Sequence, residues 1–182
     1  MNPKPSHWPP HLQYIQTSLY HSSVSIDTQL QIQGPENPSF FSRRYNINRR
    51  VVIRPISSPS HPACGQYGLF AVKKIPPKTH IIDYIGEIHC DDRPDSDYDL
   101  SLYRSQDGLH VGIDSSTMGN EARFINDYRG VKPKPNAVFS DIRADSGAMR
   151  MSIWSSGGEI KKGEEILVSY GKAWWHARNN LQ

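Results

Sequence analysis

Cysteine and long apolar runs are both scarce in this 182-residue chain. Two cysteines, Cys64 and Cys90, are too few for a disulfide framework or for an all-cysteine zinc site. They read as free thiols of a reducing compartment, and no metal is expected. No apolar run approaches the ~20 residues of a membrane span. The first five residues have no apolar core behind their positive charge, so no secretion signal is expected. The expectation is an intracellular protein, in nucleus or cytoplasm. A large excess of one charge is missing as well: the formal net charge is +3, too small for a broad nucleic-acid footprint. Long amphipathic stretches are few, which argues against a helix bundle.

Punctuation is what the chain has in quantity. Fourteen prolines and 13 glycines separate short apolar runs, a pattern that predicts a mostly-β domain of many short strands with little helix. Residues 1–49 are polar and read as an N-terminal arm, residues 50–176 as the main domain and 177–182 as a tail. In the arm, Pro9 and Pro10 precede apolar residues at helical spacing, which predicts a short helix over 11–20; residues 33–38 look like a linker. The β-branched run at 49–56 predicts the first convincing strand. Further strands are expected at 69–72, 81–88, 109–113 and 165–170, with a pair at 136–142 and 149–154. Residues 118–125 are expected to form a short helix or turn. Charge is uneven. Arg43, Arg44, Arg49, Arg50 and Arg54 cluster before and within the first strand, and Asp91, Asp92, Asp95, Asp97 and Asp99 crowd one later loop. Either run reads as a solvated face, and the acidic one also suits a basic peptide. The arginines with Tyr45 and the tryptophans leave a small nucleic-acid binder as another reading, against which the modest net charge weighs.

Four segments carry side chains suited to chemistry. Gln66-Tyr67-Gly68, after Gly65, places glycine before a strand, where a ligand can approach the main chain; a plain turn glycine is the alternative. Tyr84-Ile85-Gly86-Glu87 leads to the acidic loop and then Tyr98, and each tyrosine also reads as an ordinary core aromatic. Arg123-Phe124-Ile125-Asn126-Asp127-Tyr128 follows Gly119 and Asn120, with Pro135-Asn136 downstream. A buried Asn126, with two donors and an acceptor, could hold a zwitterion, or it could simply form a turn. Glu165-Ile166-Leu167-Val168-Ser169-Tyr170-Gly171, followed by Trp174 and Trp175, ends a strand on a tyrosine whose hydroxyl could enter a pocket.

Taken together, in this order, the four segments resemble the SET-domain family of protein lysine methyltransferases, from about Gly65 to Trp175. The resemblance implies a SET-domain β-clip fold of several small sheets, with the third and fourth segments brought together in a knot-like threading. It implies S-adenosylmethionine as cofactor and a protein substrate whose basic, lysine-containing segment, a histone tail or a non-histone sequence, enters a narrow channel. By the same resemblance Tyr170 and Tyr98 are the catalytic tyrosines. Gln66, Tyr67, Gly68, Tyr98, Arg123, Phe124, Asn126, Asp127, Tyr170 and Trp175 face the cofactor, and Tyr98, Val168, Tyr170 and Trp174 line the lysine channel. Three departures stand out. The usual Gly-x-Gly reads Gln66-Tyr67-Gly68, the usual Asn-His-Ser/Cys reads Asn126-Asp127-Tyr128, and the flanking zinc-binding cysteines are absent. The second departure keeps open an alternative, a SET-fold module of weak or no activity that binds a basic peptide. Oligomeric state has no signature in the sequence.

Overall fold

The computed structural model describes residues 4–34, 50–144, 147–172 and 174–175. The linker at 35–38, the arginines Arg43, Arg44 and Arg49, Tyr45 and the tail at 177–182 lie outside the described residues. The arm opens with two two-residue strands, β1 (Gln13–Tyr14) and β2 (Leu19–Tyr20), where sequence predicted a helix over 11–20. Tertiary partners override the local pattern: the Gln13 and Ile15 N–H groups donate to Thr117 and Gly119, and His21 N–H donates to Ile88. The arm's helix lies later, α1 (Ile26–Gln33). Ser25 caps it by accepting the Thr28 N–H, and Gly34, at φ 73°, ends it with its N–H on the Leu30 carbonyl. Only Thr28 and Ile32 of that helix are buried, so its periodicity was too weak to read.

The main domain is built from β3 (Val51–Pro55), β4 (Tyr67–Ala71), β5 (His80–Asp83), β6 (Glu87–His89), β7 (Asp99–Arg104) and β8 (His110–Asp114). Then come β9 (Met118–Gly119), a 3₁₀ turn (Glu121–Phe124), β10 (Asn126–Asp127), β11 (Ala137–Arg143), β12 (Met149–Ser155) and β13 (Leu167–Val168). They form small sheets, in the orders β1-β9, β10-β13, β11-β12-β5, β2-β6-β8-β7 and β3-β4. The mostly-β expectation holds, and β11 pairs with β12 as expected.

The expected single strand at 81–88 is divided between two sheets, β5 going to one and β6 to the other. Its corner is Gly86, where a Cβ would stand 2.3 Å from the Asp114 carbonyl oxygen, so no other residue fits. Ile85 is held there by Asn120, whose Oδ1 accepts its N–H at 3.3 Å, and by the Ser115 hydroxyl, which donates to its carbonyl at 2.7 Å. The last expected strand shortens to β13, and its parallel pairing with β10 sets Asn126 opposite Leu167 and Asp127 opposite Val168.

One core, centred on Leu69, Ile75, Val111, Ile153, Ile160 and Ile166, lies between the sheets. A second, of Trp8, Leu12, Ile53 and Phe124, joins the arm to the 3₁₀ turn. Asp83, the last residue of β5, is buried beside β12 and receives hydrogen bonds from Ser152 at 2.5 Å and Arg150 at 3.0 Å, with the His80 ring at 2.7 Å. Burial alone would raise its carboxyl, yet these partners hold it at about 2, against an ordinary 3.8. A depressed carboxyl contributes stability above its unfolded value, and that stability is lost as pH falls through the folded value. Asp83→Asn should therefore cost about 2 kcal/mol near neutral pH. The gap from wild type should close between pH ~4 and ~2, as followed by denaturant unfolding at stepped pH.

Candidate active site

The β10–β13 pairing joins the third and fourth segments, and the side chains converge around it. Tyr170 follows β13, packed against the main core. Its hydroxyl donates to the Ile125 carbonyl at 2.7 Å and its N–H donates to Asp127 Oδ2 at 2.8 Å. Burial raises the phenol well above its ordinary 10, and the nearby Asp127 carboxylate and Tyr98 phenol raise it further. The hydroxyl is therefore neutral at any physiological pH, and its one hydrogen is committed to Ile125. It can accept a hydrogen bond but cannot serve as a base. Val168, two residues before it, has no exposed surface and lies in the main core.

Asp127, where the resemblance drawn from sequence would set a histidine, is buried at 8% exposure. Its Oδ1 accepts the Arg129 N–H at 2.9 Å, and its Oδ2 accepts the Tyr170 N–H and, at 3.4 Å, the Trp175 indole N–H. The carboxylate ties the turn after β10 to the C-terminal aromatic pair, using both oxygens as a neutral imidazole could not. Trp174 packs edge-on between Tyr170, at 4.8 Å, and Trp175, at 5.0 Å, and the Arg129 guanidinium lies 5.1 Å from the Trp175 ring.

Asn126 donates both amide hydrogens within the protein, to the Tyr67 carbonyl at 3.2 Å and to Glu165 Oε1 at 2.9 Å. A flipped amide would put its oxygen against two acceptors, so the orientation is settled by these partners. Its Oδ1 accepts no hydrogen bond among the described residues. The amide can therefore take the ammonium of a zwitterion but not its carboxylate, which narrows the expectation from sequence. Gly68 allows this closeness: a Cβ there would stand 2.6 Å from Glu165 Oε1. The Gln66 carbonyl accepts the Ile56 N–H at 2.8 Å, leaving the exposed Gln66 side chain and the Tyr67 ring as the outward-facing parts of that loop.

Arg123 and Phe124 serve neighbours. The buried Arg123 donates to the Ser115 carbonyl at 2.9 Å, and its guanidinium stacks on Tyr98 at 4.2 Å. Phe124 packs edge-on against Trp8 and Tyr67. Tyr98 is fixed through its main chain, since the Tyr84 hydroxyl donates to its carbonyl at 2.7 Å and its own N–H donates to Ser96. The acidic loop before it is partly neutralised from within. Arg93 pairs with Glu87 at 2.8 Å, Asp114 at 3.1 Å and Asp91 at 3.3 Å, and Asp99 lies 2.8 Å from the buried His89 ring. Asp92, Asp95 and Asp97 stay exposed. An open cleft of about 610 Å³ between β7 and β11 presents Arg104 and Arg143 and includes none of these site residues.

Sequence reasoning gave no role to Glu165, Arg129 or His61. A charged residue heading an apolar run was the available signal for Glu165, because a buried carboxylate demands partners. For His61 there was none. Among the described residues no group of three or more histidine, cysteine, aspartate or glutamate side chains could hold a metal ion, and no helix is long and apolar enough to cross a membrane.

The model of the SET domain matches residues 66–171. The histone-lysine N-methyltransferase EHMT1 of Homo sapiens is 30% identical over 118 residues, which cover 63% of this chain and 9% of that protein. The histone-lysine N-methyltransferase set-2 of Caenorhabditis elegans is 32% identical over 145 residues, 75% of this chain and 9% of that one. The chain thus spans under a tenth of these relatives' length. Among solved structures, ATXR5 in complex with histone H3.1 superposes with a TM-score of 0.62 at 17% identity, covering 88% of this chain and 81% of that chain. The Polycomb Repressive Complex 2 of Chaetomium thermophilum gives 0.54 at 26% identity, over 72% of this chain and 17% of that one. With more than half its residues matched and the third and fourth segments joined by β10 and β13, the chain belongs to the SET-domain family.

Proposed function

We propose that this protein transfers methyl groups from S-adenosylmethionine to lysine side chains of a protein substrate in the nucleus or cytoplasm. The observation that carries the reading is the junction of β10 and β13, where an amide with only its oxygen free adjoins a neutral tyrosine hydroxyl with its hydrogen committed. Asn126 Oδ1 would take the ammonium of the cofactor, and Gln66, Tyr67, Gly68, Asp127 and Trp175 would bound its site, with Arg123 and Phe124 supporting from behind. S-adenosylmethionine, when bound, supplies the activated methyl group.

The chain's own residues prepare the amine. Free lysine, with a pKa of about 10.4, is almost wholly protonated at neutral pH. A channel bounded by Tyr98, Tyr170 and Trp174 desolvates it, and the positive charge that a bound cofactor would bring beside it would repel the ammonium; both favour the neutral amine. Val168, enclosed in the core, could act only by backing Tyr170 from behind. Tyr170, unable to remove a proton, accepts an amine N–H and so aims the lone pair for in-line displacement. Positioning and electrostatics then carry the rate. The substrate is a basic, lysine-containing segment: Asp92, Asp95 and Asp97 offer it exposed negative charge, and the relatives' names make histone tails the first candidates.

Titration calorimetry with S-adenosylmethionine and its demethylated product tests the cofactor, and labelled S-adenosylmethionine with core histones or a cell extract tests transfer. Binding in the presence of a chelator and label on lysine are expected, with Asn126→Ala weakening binding by about tenfold or more. Binding without transfer to either source would favour the inactive peptide-binding module. Absence of binding would remove the cofactor reading itself.

A further inference from the structure

Glu165 is buried at 8% exposure, yet among the described residues no lysine or arginine pairs with it. Its carboxylate lies between two neutral groups, His61 and Asn126. His61 Nδ1 accepts the Ala63 N–H at 3.0 Å, which leaves the ring hydrogen on Nε2, 3.0 Å from Glu165 Oε2. The His61 side chain is itself 10% exposed. Glu165 Oε1 accepts the Asn126 amide at 2.9 Å. Ring, carboxylate and amide thus form a directed chain in which every hydrogen has one acceptor. We propose that His61 and Glu165 are positioning residues that lock the Asn126 amide with only its oxygen turned to the ammonium of the cofactor. The inference rests on the reading of Asn126 given above.

The direction of the chain makes the proposal testable. A glutamine at 165 meets the His61 Nε2–H with either its oxygen or its amide. If the oxygen faces His61, the glutamine NH2 faces Asn126 and turns that amide over, placing donors toward the ammonium. If the NH2 faces His61, two donors collide. Removing the His61 ring strips Glu165 Oε2 of its donor, so the carboxylate is free to turn and Asn126 loses the fixed acceptor that holds its amide.

Calorimetry on the purified protein should compare S-adenosylmethionine with 5′-methylthioadenosine, which lacks the amino-acid tail and so cannot meet Asn126 through an ammonium. Glu165→Gln and His61→Ala are expected to weaken S-adenosylmethionine by about tenfold or more, while 5′-methylthioadenosine changes by less than about twofold. His61→Gln, which can still donate to Oε2, should keep S-adenosylmethionine within about threefold of wild type. A parallel loss for both ligands, or no loss for either, would overturn the proposal, the first result showing that the chain only supports the loop. If Glu165→Gln does not fold, as judged by thermal unfolding, the two His61 variants decide. A wild-type protein that binds 5′-methylthioadenosine but not S-adenosylmethionine would overturn the positioning role. One that binds neither would overturn the function proposed above, and the positioning role with it.

Discussion

Tyr170→Phe should lower the maximal rate of methyl transfer by about a hundredfold, the scale set by losing the group that aligns a reacting atom. The substitution removes one oxygen and little else. The ring keeps its contact with Trp174 at 4.8 Å, and the main-chain tie to Asp127 is untouched. Lost are the donor to the Ile125 carbonyl, at about 1 kcal/mol of stability, and the lone pairs that would meet the lysine amine. Single-turnover rates at saturating cofactor should separate this loss from binding, because cofactor affinity should change by less than about threefold. A rate within about threefold of wild type would show that Tyr170 has no part in the chemistry. The pH profile supplies a second check. A phenol raised by burial stays neutral, so the rise of wild-type rate with pH should report lysine deprotonation and keep its shape in the variant.

The second large effect runs against the family pattern. Asp127→His restores the residue usual at that position, and it should lower both stability and activity. The carboxylate accepts the Arg129 N–H on one oxygen and the Tyr170 N–H and Trp175 indole on the other. A neutral imidazole offers one acceptor nitrogen and a protonated one offers none. At least one main-chain N–H then loses its partner in a site with 8% exposure, at a cost of about 1–3 kcal/mol. Tyr170 and Trp175 lose their shared anchor, so the rate should fall by about tenfold or more. Urea unfolding reports the first effect, tryptophan emission the displacement of Trp175, and the transfer assay the last. Higher activity in the variant would mean that aspartate is a defect at this position. The contact network instead makes it the acceptor around which the C-terminal segment is arranged.

These two residues also separate what could be read early from what could not. The order of the four segments, the tyrosine closing the last one and the Asn126-Asp127 pair were all legible, because each is a short contiguous string. The glycine at the corner of 84–87 was legible too, although its consequence, the division of one expected strand between two sheets, was not. What escaped was partnership. Nothing near Asp127 in sequence indicates that it meets Tyr170, and nothing in the loop at 57–62 marks His61 as the partner of Glu165. The arm shows the same limit from the other side. Residues 11–20 have a helical arrangement of apolar positions, but β9 and β6 supply backbone partners that outweigh it.

By itself, the sequence determined a chain of short strands punctuated by glycine and proline, and the succession of groups suited to one chemistry. Those are local properties, set by side-chain shape, backbone freedom and the functional groups a residue carries. Tertiary structure decided the parallel pairings β1–β9, β2–β6 and β10–β13, and with them the use of each polar atom. Strands of two residues have no periodicity to read, and their pairing depends on partners far along the chain. The same holds for Asn126: its composition allows it to bind either end of a zwitterion, and only Tyr67 and Glu165, by taking both of its hydrogens, leave the oxygen to face outward.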